Sequence, residues 1–378
     1  MAGLSIMIVA GEASGDLHGA GLAKALHTLR PDIRLVGVGG PHMRAAGIEV
    51  VQGLHRVDVV GVPGLATIGK GLANLATLKR FFRREKLDGV VFVDNPSMNL
   101  RLAKIAARLG HRVIYYIAPQ IWAWGRRRIH TIQRVVCRMV VILPFEEPLY
   151  REARVPCRFV GHPLLDSMAP AYERTRSRQH LGLPPEGMIL GVLPGSRRAE
   201  IRSLLPVMME AVLRIKASFP TLHCVIGQAP TVPDDWIHEG LHHTTFPVTL
   251  VPNQPNDVMA SADFLLVASG TATLQAALIG TPMVLAYRVS WLSALLARML
   301  LTVDHVGLVN LVAGRGVVPE LLQSEATAER LSGEALRFLK DRAQYERMRE
   351  ALGHVRSQLG TPGASRRAAE EVLAACQI

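Results

Sequence analysis

The sequence predicts an α/β protein with two domains, each built on a parallel sheet. Its length of 378 residues corresponds to two domains of about 150 residues or more each. Short apolar runs alternate with amphipathic helical stretches, an alternation typical of strand–helix–strand units. A polar stretch at residues 164–187 contains three prolines and separates two such alternations. The domain boundary is therefore expected near residues 163–170.

The apolar runs place the strands. In the first half they cover residues 5–10, 34–38, 89–93, 113–117, 138–143 and 157–160. In the second half they cover residues 188–193, 222–226, 248–251, 264–268 and 282–287. Residues 310–311 and 319–323 are expected in loops, and one polar, basic helix is expected from about residue 325 to the end.

The composition restricts the class of protein. A net charge of +12 fits nucleic acid, anionic lipid or phosphorylated small molecules as partners. Aromatic residues make up only 5%, which counts against stacking on single-stranded nucleic acid, and no helix-turn-helix, zinc-finger or RNP pattern is present. Four cysteines without C-x-x-C spacing fit a reducing compartment. Neither a signal peptide nor a membrane-spanning helix is expected.

A glycine-rich loop at residues 11–16 joins the first strand to a helix. It lacks the G-x-G-x-x-G pattern and the P-loop lysine, so it does not match a nucleotide fingerprint. Glu12 and Asp16 would repel bare phosphate but suit sugar hydroxyls. The alternative is that either carboxylate merely caps the helix.

Two further loops of the first half follow strand ends. Asp94 ends the third long strand, and ligands of open parallel sheets sit beyond such ends, so Asp94 is a general-base candidate. A helix-capping role is equally compatible with that position. Trp122 and Trp124 suggest a ridged loop that stacks on a sugar or lines an acyl groove. His162 is more easily explained as a structural residue than as a catalytic one.

Two strand–glycine–helix corners mark the second half. Pro194 and Gly195 end a buried strand, Ser196 can cap the next helix, and Arg197 offers a guanidinium suited to phosphate. An ordinary turn with a surface arginine is the alternative. A second corner at residues 269–275 carries two hydroxyls and again suits phosphate.

Two apolar segments fit either a protein core or a membrane surface. Residues 59–75 are almost uncharged and precede a basic cluster at residues 79–86, and residues 291–300 form an apolar helical stripe. For the first segment, a core helix followed by a solvated basic face is slightly favoured.

Seven short motifs together resemble the lipid-A-disaccharide synthase family. They stand in the family's order at residues 11–16, 119–124, 143–146, 159–163, 193–197, 269–273 and 319–323. Each motif is weak alone, but the ordered set is specific and covers nearly the whole chain.

The resemblance implies a GT-B glycosyltransferase with two Rossmann-like domains facing a cleft. The implied domains are residues 1–163 on the acceptor side, 164–345 for the UDP-sugar, and a helical segment, 346–378, that returns to the first domain. The implied reaction joins UDP-2,3-diacylglucosamine to 2,3-diacylglucosamine 1-phosphate, with inversion, and gives the β-1,6-linked lipid A disaccharide 1-phosphate and UDP. No metal, other cofactor or nucleic acid is implied. The location implied is the cytoplasmic face of the inner membrane, on an anionic surface, and a homodimer is left open.

The resemblance also assigns roles to residues. Asp94 is the favoured base, with Glu12, which stands at an essential glutamate of the family, as second choice. Arg197 stands at the donor-phosphate arginine. The implied donor-binding set is completed by Gly195, Ser196, Ser269, Gly270, Thr271, Gln275 and Asn310, and the implied acceptor-binding set is Gly11, Ser14, Asp16 and Trp122.

The chain departs from the family pattern at three positions. Gln275 replaces a glutamate. It can still accept a hydrogen bond from a ribose hydroxyl, but it lacks the negative charge that would strengthen that bond. Ser97 replaces an acid, which leaves Asp94 as the carboxylate of its segment, and Ala118 replaces a serine.

Two other functions fit parts of the sequence. A UDP-N-acetylglucosamine 2-epimerase-like enzyme would share the GT-B architecture without an acyl-binding surface. A basic lipid- or RNA-binding module would account for the charge alone.

Overall fold

The computed structural model describes residues 3–52, 65–169, 171–289 and 303–376. The chain divides into two compact units, Met1–Met168 with Gly360–Ile378 (unit 1) and Ala169–Leu359 (unit 2). The apolar stripe at residues 291–300 and the first part of the 59–75 segment lie outside the described residues.

Unit 1 is built on a seven-stranded parallel sheet in the order β3-β2-β1-β4-β5-β6-β7. Its strands are Ser5–Ala10 (β1), Arg34–Val38 (β2), Glu49–Val50 (β3), Gly89–Val93 (β4), Val113–Tyr116 (β5), Arg138–Val141 (β6) and Cys157–Phe159 (β7). The helices between them are Ala13–Leu29 (α1), Pro41–Ala45 (α2), Leu65–Arg84 (α3), Pro96–Arg108 (α4), Ile129–Val135 (α5), Glu146–Glu152 (α6) and Leu164–Ser167 (α7). A short 3₁₀ turn, Arg126–Arg128, precedes α5.

Unit 2 repeats the arrangement with a six-stranded parallel sheet in the order β10-β9-β8-β11-β12-β13. Its strands are Ile189–Leu193 (β8), His223–Gln228 (β9), Val248–Pro252 (β10), Phe264–Ala268 (β11), Met283–Tyr287 (β12) and Glu320–Leu322 (β13). Its helices are Arg174–His180 (α8), Arg198–Ser218 (α9), Asp234–Leu241 (α10), Pro255–Ser261 (α11), Thr271–Ile279 (α12), Leu308–Ala313 (α13), Ala328–Lys340 (α14) and Arg342–Gln358 (α15).

The last helix, Ala364–Cys376 (α16), belongs to unit 1 and packs on α1. Asp166 holds its beginning, because its carboxylate accepts hydrogen bonds from the N–H groups of Gly363, Ala364 and Ser365 at 2.6–3.1 Å. Three amides on one carboxylate lower the pKa of Asp166 despite its partial burial.

The strand order of each sheet reverses at one place, which is where open α/β sheets bind ligands. In unit 1 this point lies between β1 and β4, with Ala10 paired to Val93. In unit 2 it lies between β8 and β11, with Leu193 paired to Val267. The loops that follow each pair of strands therefore leave the sheet side by side.

Helix α3 shows why the 79–86 cluster is basic. Leu78 and Phe82 are buried, whereas Lys79 and Arg80 are exposed. One face of the helix therefore packs in the core and the other carries charge into solvent. This agrees with the interpretation favoured from the sequence, a core helix followed by a solvated basic face.

The structure differs from the prediction made from the sequence at several short elements. Residues 319–323 were expected in a loop but contain β13, and Asn310 lies in α13. The single terminal helix is instead three helices. Asp341 caps α15 by accepting from the N–H of Gln344, and Gly360 has a left-handed φ of 90° just after that helix ends.

Candidate active site

Asp94 follows β4 at the reversal point of unit 1, in a strained backbone conformation. Its φ is 50° and that of Asn95 is 42°, a left-handed pair that only an over-determined environment maintains. The carbonyl oxygen of Asp94 accepts from Asn99 Nδ2 at 2.8 Å and from the Tyr115 hydroxyl at 2.6 Å. These two donors hold the backbone that aims the Asp94 carboxylate.

The Asp94 carboxylate is tuned toward proton acceptance. Burial raises the pKa of Asp94 above its ordinary value, the N–H of Asn95 opposes the rise, and the charge of Glu12 adds to it. A base with a raised pKa accepts a proton more readily once it is ionised. The structure thus brings together the two carboxylates that the sequence proposed as bases.

Glu12 stands at the N-cap position of α1, and its charge acts on Asp94. It is exposed, and its side chain caps no amide among the described residues, so the alternative of a helix-capping glutamate does not hold. Gly11 allows the two loops to meet, because a Cβ there would stand 2.6 Å from Asn95 Nδ2. Ser14 is exposed in the first turn of α1.

Asp16 is engaged with a different helix. Its buried carboxylate accepts from the N–H groups of Gly40, His42 and Met43 at 2.7–3.0 Å, which are the amides at the start of α2. This is the capping role that the sequence left open for one of the two acids, although the capped helix is not its own.

Trp122 lies inside unit 1. Only 8% of it is exposed, its Nε1 donates to Glu146 Oε1 at 3.1 Å, and its ring meets Phe145 edge to face. Leu143 N donates to the other oxygen of Glu146 at 3.2 Å. Burial raises the pKa of Glu146 to about 8, although both hydrogen bonds oppose the rise.

Glu146→Gln is expected to change the pH dependence of stability. Because the pKa of Glu146 is about 8 in the folded protein and 4.5 ordinarily, its contribution is complete below about pH 4.5 and is lost as pH rises through about 8. The loss is at most about 1.4 kcal/mol per pH unit. Urea unfolding at about pH 6 and pH 8.5 should show a larger fall for the wild type than for Glu146→Gln. Equal falls would mean that Glu146 does not titrate in this range.

The first corner of unit 2 already holds an anion, the carboxylate of Glu200. Its Oε2 accepts from the N–H groups of Ser196 and Arg197 at 3.0 and 3.2 Å, and its Oε1 accepts from the Arg197 guanidinium at 2.9 Å. Gly195, at a φ of 113°, leaves the room for this carboxylate. The helix cap is therefore Arg197 with Glu200, not Ser196 as the sequence suggested.

The second corner is open. Gly270 precedes α12, and no side chain in the described part of the chain caps that helix. A Cβ added at Gly270 would meet nothing within 4 Å, and Thr271 is exposed. The first amides of a helix lack partners within it, so this end offers N–H groups to an anion. Ser269 is tied into the sheet, since its N–H donates to Ala286 O at 2.9 Å.

Gln275 and Asn310 are both engaged. Gln275 Nε2 donates to Asn256 Oδ1 at 3.1 Å. Asn310 is buried, its Nδ2 donates to Val318 O and Glu320 Oε1, and its Oδ1 accepts from the N–H groups of Val317 and Val318. These bonds use the full capacity of the amide, so a ligand contact by Asn310 would have to replace one of them.

The described residues contain no group of three or more His, Cys, Asp or Glu side chains able to hold a metal ion. No helix within the described ranges is long and apolar enough to cross a membrane.

Comparisons with known proteins identify the family. A family model described as Lipid-A-disaccharide synthetase matches residues 6–375. The chain belongs to the lipid-A-disaccharide synthase family. The lipid-A-disaccharide synthase of Geobacter metallireducens is 44% identical over 369 residues, which are 97% of this chain and 96% of that protein. Members of this family form the lipid A disaccharide, so the chain is a glycosyltransferase.

Solved structures with low identity share the fold. A UDP-GlcNAc 2-epimerase from Neisseria meningitidis, bound to UDP-GlcNAc, has a TM-score of 0.67 at 11% identity and covers 98% of this chain and 100% of that one. The glycosyltransferase of kitacinnamycin has a TM-score of 0.62 at 16% identity, with 99% and 100% covered. The predicted GT-B class with two Rossmann-like domains is confirmed. The likeness to the epimerase is a likeness of fold alone.

Sequence reasoning missed three residues of this site. Asn99 and Tyr115 clamp the Asp94 backbone, and Glu146 holds Trp122. Glu146 stood within a quoted motif, but a glutamate after proline and phenylalanine does not reveal a buried partner. Tyr115 gave no signal, because the pairing of β4 with β5 brings it to Asp94. Asn99 reaches the Asp94 carbonyl oxygen from the first turn of α4, a contact that spacing alone does not reveal.

Proposed function

We propose that the enzyme transfers a 2,3-diacylglucosaminyl group from UDP to the 6-hydroxyl of 2,3-diacylglucosamine 1-phosphate, with inversion. Family membership supports the disaccharide product. The observation that carries the assignment of the site is Asp94, a carboxylate of raised pKa in a clamped backbone at the reversal point of unit 1.

Asp94 acts as the general base. An inverting transfer needs one in-line displacement, in which the acceptor hydroxyl loses its proton as its oxygen attacks C1 of the donor sugar. The Asp94 carboxylate takes that proton. Burial raises the pKa of Asp94 and the charge of Glu12 adds to the rise, which makes Asp94 an effective proton acceptor.

Unit 2 holds the UDP diphosphate at its reversal point. The uncapped start of α12 at Gly270 and Thr271 supplies N–H groups, and Arg197 supplies a mobile guanidinium. These donors offset the charge that develops on the leaving UDP. The diphosphate replaces the Glu200 carboxylate at Arg197, since both anions need the same guanidinium.

The enzyme works on the cytoplasmic face of the inner membrane. Both substrates carry acyl chains, and the exposed basic face of α3 with Lys79 and Arg80 suits an anionic lipid surface. This location accounts for the net charge of +12 without a nucleic-acid partner.

Release of UDP tests the function. Synthetic acylated donor and acceptor, presented in anionic vesicles, should give UDP and disaccharide in equal amounts, at a rate that EDTA leaves unchanged and neutral vesicles lower. Soluble UDP-N-acetylglucosamine should be neither hydrolysed nor epimerised. Epimerisation without disaccharide would support the epimerase alternative, and loss of activity in EDTA would contradict the proposed metal-free stabilisation of UDP.

A further inference from the structure

A half-buried arginine, Arg128, ends the 3₁₀ turn that follows Trp124 in unit 1. The Arg128 guanidinium carbon stands 3.9 Å from the centre of the Trp124 ring, in a stacked cation–π contact. Its Nη1 is buried and has no hydrogen-bond partner among the described residues. A guanidinium nitrogen removed from water normally bonds to an acceptor, so this one lacks the group that would complete it.

Arg128 lies at the strand ends that carry Asp94. Burial raises the pKa of Tyr115, the charge of Asp94 adds to the rise, and the positive charge of Arg128 opposes it. The Tyr115 hydroxyl in turn donates to the Asp94 carbonyl oxygen at 2.6 Å. The guanidinium therefore belongs to the surroundings of the proposed base.

Three acidic side chains of the described residues, Glu12, Asp94 and Glu146, belong to this neighbourhood. The charge of Glu12 adds to the raised pKa of Asp94, and the charge of Asp94 adds to the rise that burial causes in the pKa of Glu146. An anionic substrate group would be repelled by the charges of Asp94 and Glu12 unless a cation received it, whereas Glu146, with a pKa of about 8, is uncharged at neutral pH. Arg128 is that cation, while Arg126 and Arg127 of the same turn are exposed.

We propose that Arg128 binds the 1-phosphate of the acceptor sugar. Contact with Trp124 holds the guanidinium in place, and its unpartnered Nη1 is left to donate to a phosphate oxygen. The contact orients the acceptor so that its 6-hydroxyl reaches the Asp94 carboxylate. This inference rests on the proposed function, because it takes the phosphorylated acceptor as given.

The test compares two acceptors, one with the 1-phosphate and one with a neutral 1-hydroxyl. For the wild type, kcat/KM should be about 10- to 100-fold higher with the phosphorylated acceptor. In Arg128→Met, kcat/KM should fall by that factor with the phosphorylated acceptor and change little with the neutral one. The ratio of the two kcat/KM values should therefore approach one. Arg127→Met removes the same charge from an exposed position of the same turn and should keep the wild-type ratio.

The outcomes separate the two proposals. A wild type that releases no UDP with either acceptor contradicts the proposed function itself. A wild type that is active but indifferent to the phosphate overturns the role of Arg128 alone, as does Arg128→Met with the full wild-type ratio. Circular dichroism checks that each variant folds. If Arg128→Met does not fold, the ratio of kcat/KM for the two acceptors is measured on Arg128→Gln, which retains a flat polar group over Trp124, and should again approach one.

Discussion

Replacing Asp94 with asparagine is expected to lower kcat about 10²- to 10⁴-fold, the range typical of a lost general base. Asparagine has the same shape, and it tolerates the left-handed backbone that Asp94 adopts at a φ of 50°. The clamp by Asn99 and Tyr115 acts on the backbone carbonyl and survives the change. The rate of UDP release at saturating substrate concentrations gives kcat. Thermal unfolding gives the stability of the variant, which should stay near that of the wild type.

The pH profile distinguishes a base from a structural carboxylate. The proposed mechanism requires the ionised form of Asp94, so wild-type kcat should rise with pH through a pKa that burial holds above 3.8. Asp94→Asn should lack this limb. Glu12→Gln is the matched control, because it removes the neighbouring charge and should move the limb to lower pH without abolishing it. Near wild-type turnover by Asp94→Asn would remove Asp94 as the base and leave Glu12.

Arg197→Ala is expected to lower kcat/KM about 10²-fold or more, because it removes a charged donor from the leaving diphosphate. The fold should tolerate this change, since 80% of the Arg197 side chain is exposed. The Glu200 carboxylate retains the N–H groups of Ser196 and residue 197, so α9 keeps its cap. Steady-state kinetics with varied donor and a direct measurement of UDP affinity check the prediction.

Arg198→Ala is the matched control for Arg197→Ala. Arg198 is the next residue along the chain, is similarly exposed, and has its guanidinium 3.8 Å from Glu239. Its loss changes the net charge equally but should leave kcat/KM within about 2-fold, as expected of a weak surface ion pair. Similar losses in both variants would show a general charge effect and would argue against a specific phosphate contact by Arg197.

Long apolar strands were predictable because their sequence pattern and their burial agree. The strands Ser5–Ala10, Gly89–Val93 and Phe264–Ala268 begin and end as the sequence predicts, and each is buried throughout. The strand after residue 113 ends one residue early, since Ile117 has a left-handed φ of 62°. The two-residue strand β3 is too short to show a period.

Only those residues of the candidate site that directly follow a predicted strand could be found from the sequence. Asp94 and Arg197 follow apolar runs, so their place at the edge of a sheet could be inferred from the sequence. Glu200 binds the amides of the first corner of unit 2, and Asp16 binds the amides at the start of α2. Both contacts depend on which side chain reaches which amide in the folded protein. The loop at residues 11–16 contains two acids, Glu12 and Asp16, and their spacing alone does not decide which of them caps a helix or which helix it caps.

The return of α16 to unit 1 affects the order in which this protein is made. Unit 2 is continuous in the chain, whereas unit 1 needs segments from both ends of it. During synthesis the side of α1 that receives α16 stays uncovered until α16 leaves the ribosome, after the whole of unit 2 has emerged. Unit 1, which carries Asp94, is thus completed after unit 2, and a chain that terminates between the two lacks α16 even when unit 2 is intact.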